Sequence, residues 1–364
     1  MITSDSHSAH GEPDPIIEED LDSIADGCRA ELSQLSGKTI LITGGSGFVG
    51  RYLVEAVLRF NASVPGTGCS LVLVTRAPQL LAIRYQQAID AGAIELVRWG
   101  PGFSLNLRGR RPDYVVHAAS PADPQAVAQD PGRSLRDLIT MAASTVDVAK
   151  ASGSRRAILI SSGAVYGDQP IGVPEIPEDY RGAPDISVLT SVYAEGKRVS
   201  ELIFRAAGID HRIARIFSLI GPYQDLDASF AVPTFIRQAV ENHAIVLSGD
   251  GSPVRSYCYA VDLSTFLFKL LLGHPRHDVY NVGNRQGTVS ISDVANMISA
   301  IFGGVEIRHS RQASGSPSAV HRYVPDLKRM YELHSPQVAI RDALRRTCQS
   351  LHSRGLISRE PVPG

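Results

Sequence analysis

Tyr193 and Lys197 stand four residues apart in the stretch Ser191-Val-Tyr-Ala-Glu-Gly-Lys-Arg-Val-Ser-Glu201. On a helix, positions i and i+4 share a face, so the ammonium reaches the neighbourhood of the phenol. A free tyrosine titrates near ~10, too high for proton abstraction at neutral pH, and a nearby cation favours the phenolate. The pair can therefore serve as a proton-transfer device. Tyr-x-x-x-Lys also occurs on ordinary solvated helical faces, so its meaning depends on the elements that position it.

The first of those elements is a strand that runs into a Gly-rich turn. Lys38–Thr43 is short, apolar and β-branched, and residues 51–60 carry apolar positions at the helical period. Between them lies Thr43-Gly-Gly-Ser-Gly-Phe-Val-Gly50. Gly44 allows a tight exit from the strand, Gly47 lets backbone N–H groups approach a pyrophosphate, and Gly50 permits close helix–strand packing. The N-terminus of the following helix adds partial positive charge and unpaired donors. This context points to dinucleotide binding rather than to a purely structural turn. The second strand, Ser70–Thr75, ends in Thr75-Arg76. An NAD site usually presents an acid there to the ribose 2′-hydroxyl. Here the acid is missing. Arg76 is either a solvated loop arginine or a partner for a 2′-phosphate, so NAD and NADP both stay open.

Further strand candidates are Ala93–Val97, Tyr114–Ala118, Arg156–Ser161, His211–Ile216 and Val279–Val282, with helical segments between most of them. Near-continuously apolar strands alternating with helices predict an α/β Rossmann fold: a doubly wound parallel sheet covered on both faces. From about residue 218 the pattern becomes irregular, with Pro222, Pro233 and Pro253, which suggests a smaller, interleaved C-terminal substrate lobe. The expected organisation is a polar tail and capping helix over 1–37 and a dinucleotide-binding domain over 38–217, to which 258–285 returns. Residues 218–257 and 286–350 form the substrate lobe, and 351–364 a tail that reads as disordered over Ser353–Gly364. Ile16, Ile17, Leu21, Ile24 and Leu32 mark the capping helix as amphipathic.

The chain has 364 residues, 43% hydrophobic and 20% charged, as in ordinary soluble globular proteins. A formal net charge of −1 offers no global attraction to nucleic acid or to an anionic membrane. Cys28, Cys69, Cys258 and Cys348 are widely spaced and build no CxxC or Cys/His cluster, so no metal site is expected. They read as reduced thiols of a cytoplasmic protein. The first residues lack the basic start and apolar core of a signal peptide, and no apolar run approaches a membrane span.

Several further segments carry a family resemblance. Val116-His-Ala-Ala-Ser-Pro-Ala-Asp-Pro124, Ser161-Ser-Gly-Ala-Val-Tyr-Gly167 and Arg215-Ile-Phe-Ser-Leu-Ile-Gly-Pro-Tyr223 join the glycine turn and the Tyr/Lys pair. Gly249-Asp-Gly-Ser-Pro-Val-Arg255-Ser-Tyr and Tyr280-Asn-Val-Gly283 follow. In order and spacing, over roughly residues 38–335, the set resembles the extended short-chain dehydrogenase/reductases of the NAD-dependent epimerase/dehydratase family. Ala119-Ser-Pro-Ala122 and Tyr193–Val199 look most like UDP-glucuronate decarboxylases. The resemblance implies an enzyme that oxidises C4 of a nucleotide-diphosphate sugar to a transient ketone. Tyr193 is then the base, Lys197 holds the nicotinamide ribose and lowers the phenol pKa, and Ser162 hydrogen-bonds the reacting hydroxyl. Gly44, Gly47, Phe48, Val49, Gly50, Arg76, Ala118 and Ala119 line the cofactor with Tyr193 and Lys197. Ser120, Ser162, Ser218 and Arg255 touch substrate, Arg255 through the diphosphate, where a planar guanidinium suits bidentate binding. Asp262 reads as structural. A homodimer is also implied, with Leu202, Ile203 and Ala206 on one of its helices.

Three departures limit the transfer. In the 4,6-dehydratases the catalytic Thr is followed by Asp-Glu, and the decarboxylases keep the Glu. Here those positions are Gly163 and Ala164, neither able to carry a proton. That favours C4 epimerisation, or simple oxidation or reduction of a keto sugar, over dehydration and decarboxylation. The usual Asn after the Arg-x-Phe element is Ser218, which offers fewer hydrogen bonds. After the third strand, Arg98-Trp99-Gly100 replaces an adenine-contacting acid, leaving Trp99 to stack or to pack. The reading from another class is a catalytically silent NAD(P)-sensing protein, since a fold alone does not determine function. The retained Tyr193, Lys197, Ser162 and Arg255 argue against it.

Overall fold

The apolar runs become strands buried on both faces: β1 (Thr39–Thr43), β2 (Ser70–Thr75), β3 (Ile94–Arg98), β4 (Tyr114–His117), β5 (Arg156–Ser162) and β6 (His211–Ile216). The computed structural model describes residues 13–64, 68–99, 107, 109–121, 124–310 and 321–362. After β6 the chain leaves for β7 (Ser218–Ile220), β8 (Ala244–Leu247) and β9 (Val254–Tyr259), then returns with β10 (Val279–Val282). The main sheet runs β10-β6-β5-β4-β1-β2-β3 and every neighbouring pair is parallel. This is the α/β Rossmann-like architecture that the alternation of strands and helices predicts.

The strand order reverses at β1. The chain moves outward to β2 and β3, then crosses back to place β4 on the other side of β1. Thr43 therefore pairs with Val74 on one side and His117 on the other. Such a switch point opens a crevice beyond the carboxyl ends of the strands. One face of the sheet is covered by helix Phe48–Ser63, whose Tyr52, Leu53, Val54 and Val57 join Ile40, Ile42, Leu71 and Leu73 in one core. The other is covered by helices Pro131–Ser152 and Val192–Ala206, with Ala142, Val146, Ala149 and Phe204 against Leu41, Val72 and Leu159.

The smaller lobe is more regular than its sequence. β11 (Thr288–Ser290), β12 (Glu306–His309) and β13 (Arg322–Tyr323) complete two small sheets: β7, β9, β11 and β13 form one, β8 and β12 the other. Short paired strands of this kind leave little periodicity to read.

The first and last described segments are both built into the core. Helix Pro15–Gly27 is capped by Asp14 and buries Ile17, Leu21 and Ile24, while the polar residues before Pro13 lie outside the described residues. Its Asp20 is buried and accepts hydrogen bonds from the Tyr52 and Tyr259 hydroxyls at 3.0 and 2.7 Å, and from Arg346 at 2.7 Å. The C-terminal tail, expected to be disordered, is instead packed as far as it is described. Ile357 is buried, Val362 N–H donates to the Ile301 carbonyl, and Arg359 to that of Phe302. Two buried residues, Ile357 and Pro361, and a few backbone bonds anchor a segment whose composition is that of a loop.

Among the described residues no helix is long and apolar enough to cross a membrane, and no His/Cys/Asp/Glu group could hold a metal ion. The four cysteines are buried and unpaired.

Candidate active site

At the switch point the Gly-rich turn and the loop after β4 meet backbone to backbone. Gly44 has φ +74°, and a Cβ there would lie 2.7 Å from the Ala119 N and Cα atoms. A Cβ on Gly50 would collide with the Gly44 carbonyl oxygen, so its absence lets the helix start against the strand exit. No side chain caps helix Phe48–Ser63 at Gly47, and a Cβ on Gly47 would meet only the Gly44 oxygen, at 3.4 Å. The first turn of the helix thus presents its backbone donors to the crevice, the arrangement that receives a pyrophosphate. Ala118 and Ala119 form the opposite wall: their N–H groups donate to the Thr43 carbonyl and Thr43 Oγ1, each at 3.2 Å.

Beneath this wall is buried His117, whose Nδ1 lies 2.9 Å from Thr43 Oγ1 and 3.0 Å from Thr145 Oγ1. Burial, and then the nearby Lys197 charge, lower its pKa to about 3, so the imidazole stays neutral. It ties the glycine turn to helix Pro131–Ser152.

Helix Val192–Ala206 is held to β5 by three side chains spaced four apart. Lys197 Nζ donates to the Ile160 carbonyl at 2.7 Å. Glu201 accepts from Ser161 Oγ at 2.7 Å and receives the Arg215 fork at 2.9 and 2.6 Å. Tyr193 faces Ser162, the last residue of β5. Burial raises the Tyr193 pKa, and the Ser162 and Ser120 hydroxyls pull it back down. Two hydroxyls thus bear on the phenol, with the Lys197 ammonium close by. Lys197 lies 5.9 Å from the phenol ring centroid, and burial lowers its own pKa to about 8, against an opposing pull from Glu201. The Ser120 hydroxyl oxygen is buried beside the Tyr193 phenol, whose pKa it helps to lower.

Gly163 follows Ser162, and its missing side chain has a steric reason. A Cβ there would lie 2.7 Å from Phe217 Cε2 and from the Tyr323 hydroxyl. Those two rings stack at 4.4 Å, and the Tyr323 hydroxyl is 3.5 Å from Ser162 Oγ. The Arg255 guanidinium sits 5.8 Å from the Tyr323 ring, which links it to the Ser162 end of the site. Ser218 lies at the start of β7, one residue past Phe217. Arg76 stands apart, at the end of β2. Asp262 accepts from the Gln337 and Val338 N–H groups and from His334, a joint between helix Ala260–Leu272 and the C-terminal segment.

Tyr323 and Phe217 are the residues that sequence reasoning overlooked as parts of this site. Phe217 lay inside a quoted motif. Tyr323 follows an irregular stretch and joins the site through β13, a strand of two residues. Only a tertiary contact across 161 positions reveals it.

Known proteins resemble this chain in family pattern, sequence and structure. The model of the family described as "NAD dependent epimerase/dehydratase family" matches residues 40–283. UDP-glucuronic acid decarboxylase 3 of Arabidopsis thaliana is 28% identical over 312 residues, 84% of this chain and 86% of that protein. Among solved structures, the UDP-glucose 4-epimerase of Thermotoga maritima, with UDP-glucose, superposes with TM-score 0.71 at 21% identity, covering 86% of this chain and 98% of that one. The UDP-glucuronic acid 4-epimerase of Bacillus cereus, in complex with UDP-glucuronic acid and NAD, gives TM-score 0.70 at 22% identity, covering 87% and 99%.

Proposed function

Because the chain belongs to the NAD-dependent epimerase/dehydratase family, we propose that it oxidises C4 of a nucleotide-diphosphate sugar to a transient ketone and then reduces that ketone on its other face, as an epimerase. The observation that carries this reading is the meeting of Tyr193, Lys197 and Ser162 beside the glycine crevice. The crevice fits a dinucleotide, since Gly44 and Gly50 let the turn close backbone to backbone against its neighbours and the uncapped helix start supplies donors. A nicotinamide dinucleotide bound there would supply the hydride acceptor and donor.

The rest falls to the chain. Tyr193 takes the C4 hydroxyl proton and gives it back, and Ser162 holds that hydroxyl in line. Lys197 engages the nicotinamide ribose and adds positive charge near the phenolate. Arg255 pairs with the diphosphate, while Ser120 and Ser218 bind the sugar or phosphate edge. Gly163 and Ala164 carry no proton, and the Phe217 and Tyr323 rings occupy the space a carboxylate at 163 would need. This is the support for epimerisation over elimination of water. Decarboxylation is the second reading, on the likeness to UDP-glucuronic acid decarboxylases.

The same reading includes a homodimer through helices Pro131–Ser152 and Val192–Ala206, with Leu202 64% exposed on the second, and a cytoplasmic location suited to four unpaired thiols. A monomer by light scattering would reject the dimer. For the chemistry, a panel of nucleotide sugars is incubated with protein and cofactor and the products are weighed by mass spectrometry. Zero mass change with an altered C4 configuration is expected. Loss of CO₂ establishes the decarboxylase, and loss of water overturns the argument from Gly163. Tyr193→Phe should abolish turnover while keeping cofactor binding, and near-normal activity would sink the mechanism.

A further inference from the structure

The end of β2 carries no carboxylate to grip a ribose diol. Thr75 is buried, and its hydroxyl accepts the Ala77 N–H at 3.2 Å. The next side chain, Arg76, is 62% exposed, with its Nη1 3.7 Å from Asp137 Oδ2. Asp137 belongs to helix Pro131–Ser152, which follows β4, and β1 lies between β2 and β4 in the sheet. The Arg76–Asp137 pair therefore spans the carboxyl end of β1, above the glycine turn. Two further guanidiniums converge. Arg133 Nε lies 3.9 Å from the same Asp137 oxygen, and Arg98, at the end of β3, donates to the Arg76 carbonyl at 3.4 Å. Two arginines thus share one acid, at distances too long for good charge-assisted bonds, while Arg98 braces the Arg76 backbone.

We propose that Arg76, assisted by Arg133, binds the 2′-phosphate of NADP(H), and that Asp137 is the carboxylate this phosphate displaces. The inference rests on the dinucleotide-binding reading above and deepens it, giving this chain a preference for NADP(H) within a family described by NAD. An arginine side chain has donors but no acceptor, so it cannot reproduce the two-acceptor grip of a carboxylate on a 2′,3′-diol. A dianionic phosphate, in contrast, matches the planar guanidinium fork. The existing partner is easily given up, because exposed ion pairs at such separations hold weakly. The swap leaves Asp137 paired to neither arginine, so the carboxylate opposes the bound phosphate by like-charge repulsion.

That arrangement makes opposite predictions for two neighbouring charges. Purified protein is titrated with NADPH and with NADH, following nicotinamide fluorescence at low and moderate ionic strength. Wild type should bind NADPH ~10-fold or more tightly than NADH, the size of one charge-assisted contact, and the advantage should shrink with salt. Arg76→Ala should erase the difference and Arg76→Glu reverse it, with NADH binding serving as the check that each variant is folded. Asp137→Asn should tighten NADPH and leave NADH unchanged. Equal or tighter NADH binding by wild type overturns the proposal, as does an unchanged ratio in Arg76→Ala. Binding of neither nucleotide overturns the dinucleotide reading as well.

Discussion

Adding one methyl group at Gly163 should both destabilise the protein and disturb its site. The new carbon would lie 2.7 Å from Phe217 Cε2 and Tyr323 Oη, and 2.8 Å from Phe217 Cζ. Normal carbon contacts sit near ~3.5–4.0 Å, so the overlap approaches 1 Å at each atom. Neither neighbour is a free side-chain end. The rings stack on each other at 4.4 Å, Phe217 is buried, and Tyr323 Oη faces Ser162 Oγ. Overpacking of this kind costs ~1–3 kcal/mol, and two immobile neighbours place Gly163→Ala near the middle, about 2 kcal/mol. Urea denaturation of the two proteins reads this directly. Because Ser162 moves with Tyr323, kcat should fall more than KM rises. The double variant Gly163→Ala/Phe217→Leu should recover part of the loss, giving a coupling of ~1 kcal/mol. Wild-type stability and kcat in Gly163→Ala would refute the reasoning, since the pocket would then have room for the side chain it is said to exclude. Gly163→Asp should likewise produce no dehydrated sugar by mass spectrometry.

Asp20→Ala removes the acceptor shared by two buried phenols and Arg346, and should cost ~3–5 kcal/mol in denaturant unfolding, the scale for breaking a buried charged network. An effect below 1 kcal/mol would show helix Pro15–Gly27 to be an ornament. His117 has a folded pKa of about 3 against 6.5 unfolded, so the unfolded chain binds the extra proton. Its stabilisation is intact above pH 6.5 and is lost as pH falls toward 3, with a slope of ~1.4 kcal/mol per pH unit. Comparing unfolding free energies of wild type and His117→Gln between pH 6 and 4 should show the variant with the shallower decline. Lys197, lowered to about 8 by burial, loses its ammonium charge above that pH. Turnover should therefore fall on the alkaline side near pH 8, and a limb unmoved in Lys197→Arg would deny the lysine that role.

What was legible in the chain was local. The glycine turn needs Gly44 and Gly50 at set positions because two backbones touch there. The Tyr193/Lys197 pair needs only the helical repeat, which also brings Glu201 onto the face that grips β5. The sheet followed from apolar runs buried on both sides. The tail was misjudged because composition hides two buried residues, Ile357 and Pro361, and a backbone bond to Ile301. Tyr323 was missed because two residues of strand carry no period at all.

By itself the sequence determined the dinucleotide fold and the pair of groups able to move a proton, since both depend on residue type and short spacing. It also displayed Gly163 without a reason. Tertiary structure supplied the reason, by packing Phe217 and Tyr323 into the space beside Ser162. Tertiary structure also showed which groups tune the Tyr193 phenol, because burial and hydroxyl contacts are properties of the assembled site. It brought Arg76 to Asp137 across β1 as well, a meeting set by the order of strands in the sheet, which no local pattern encodes.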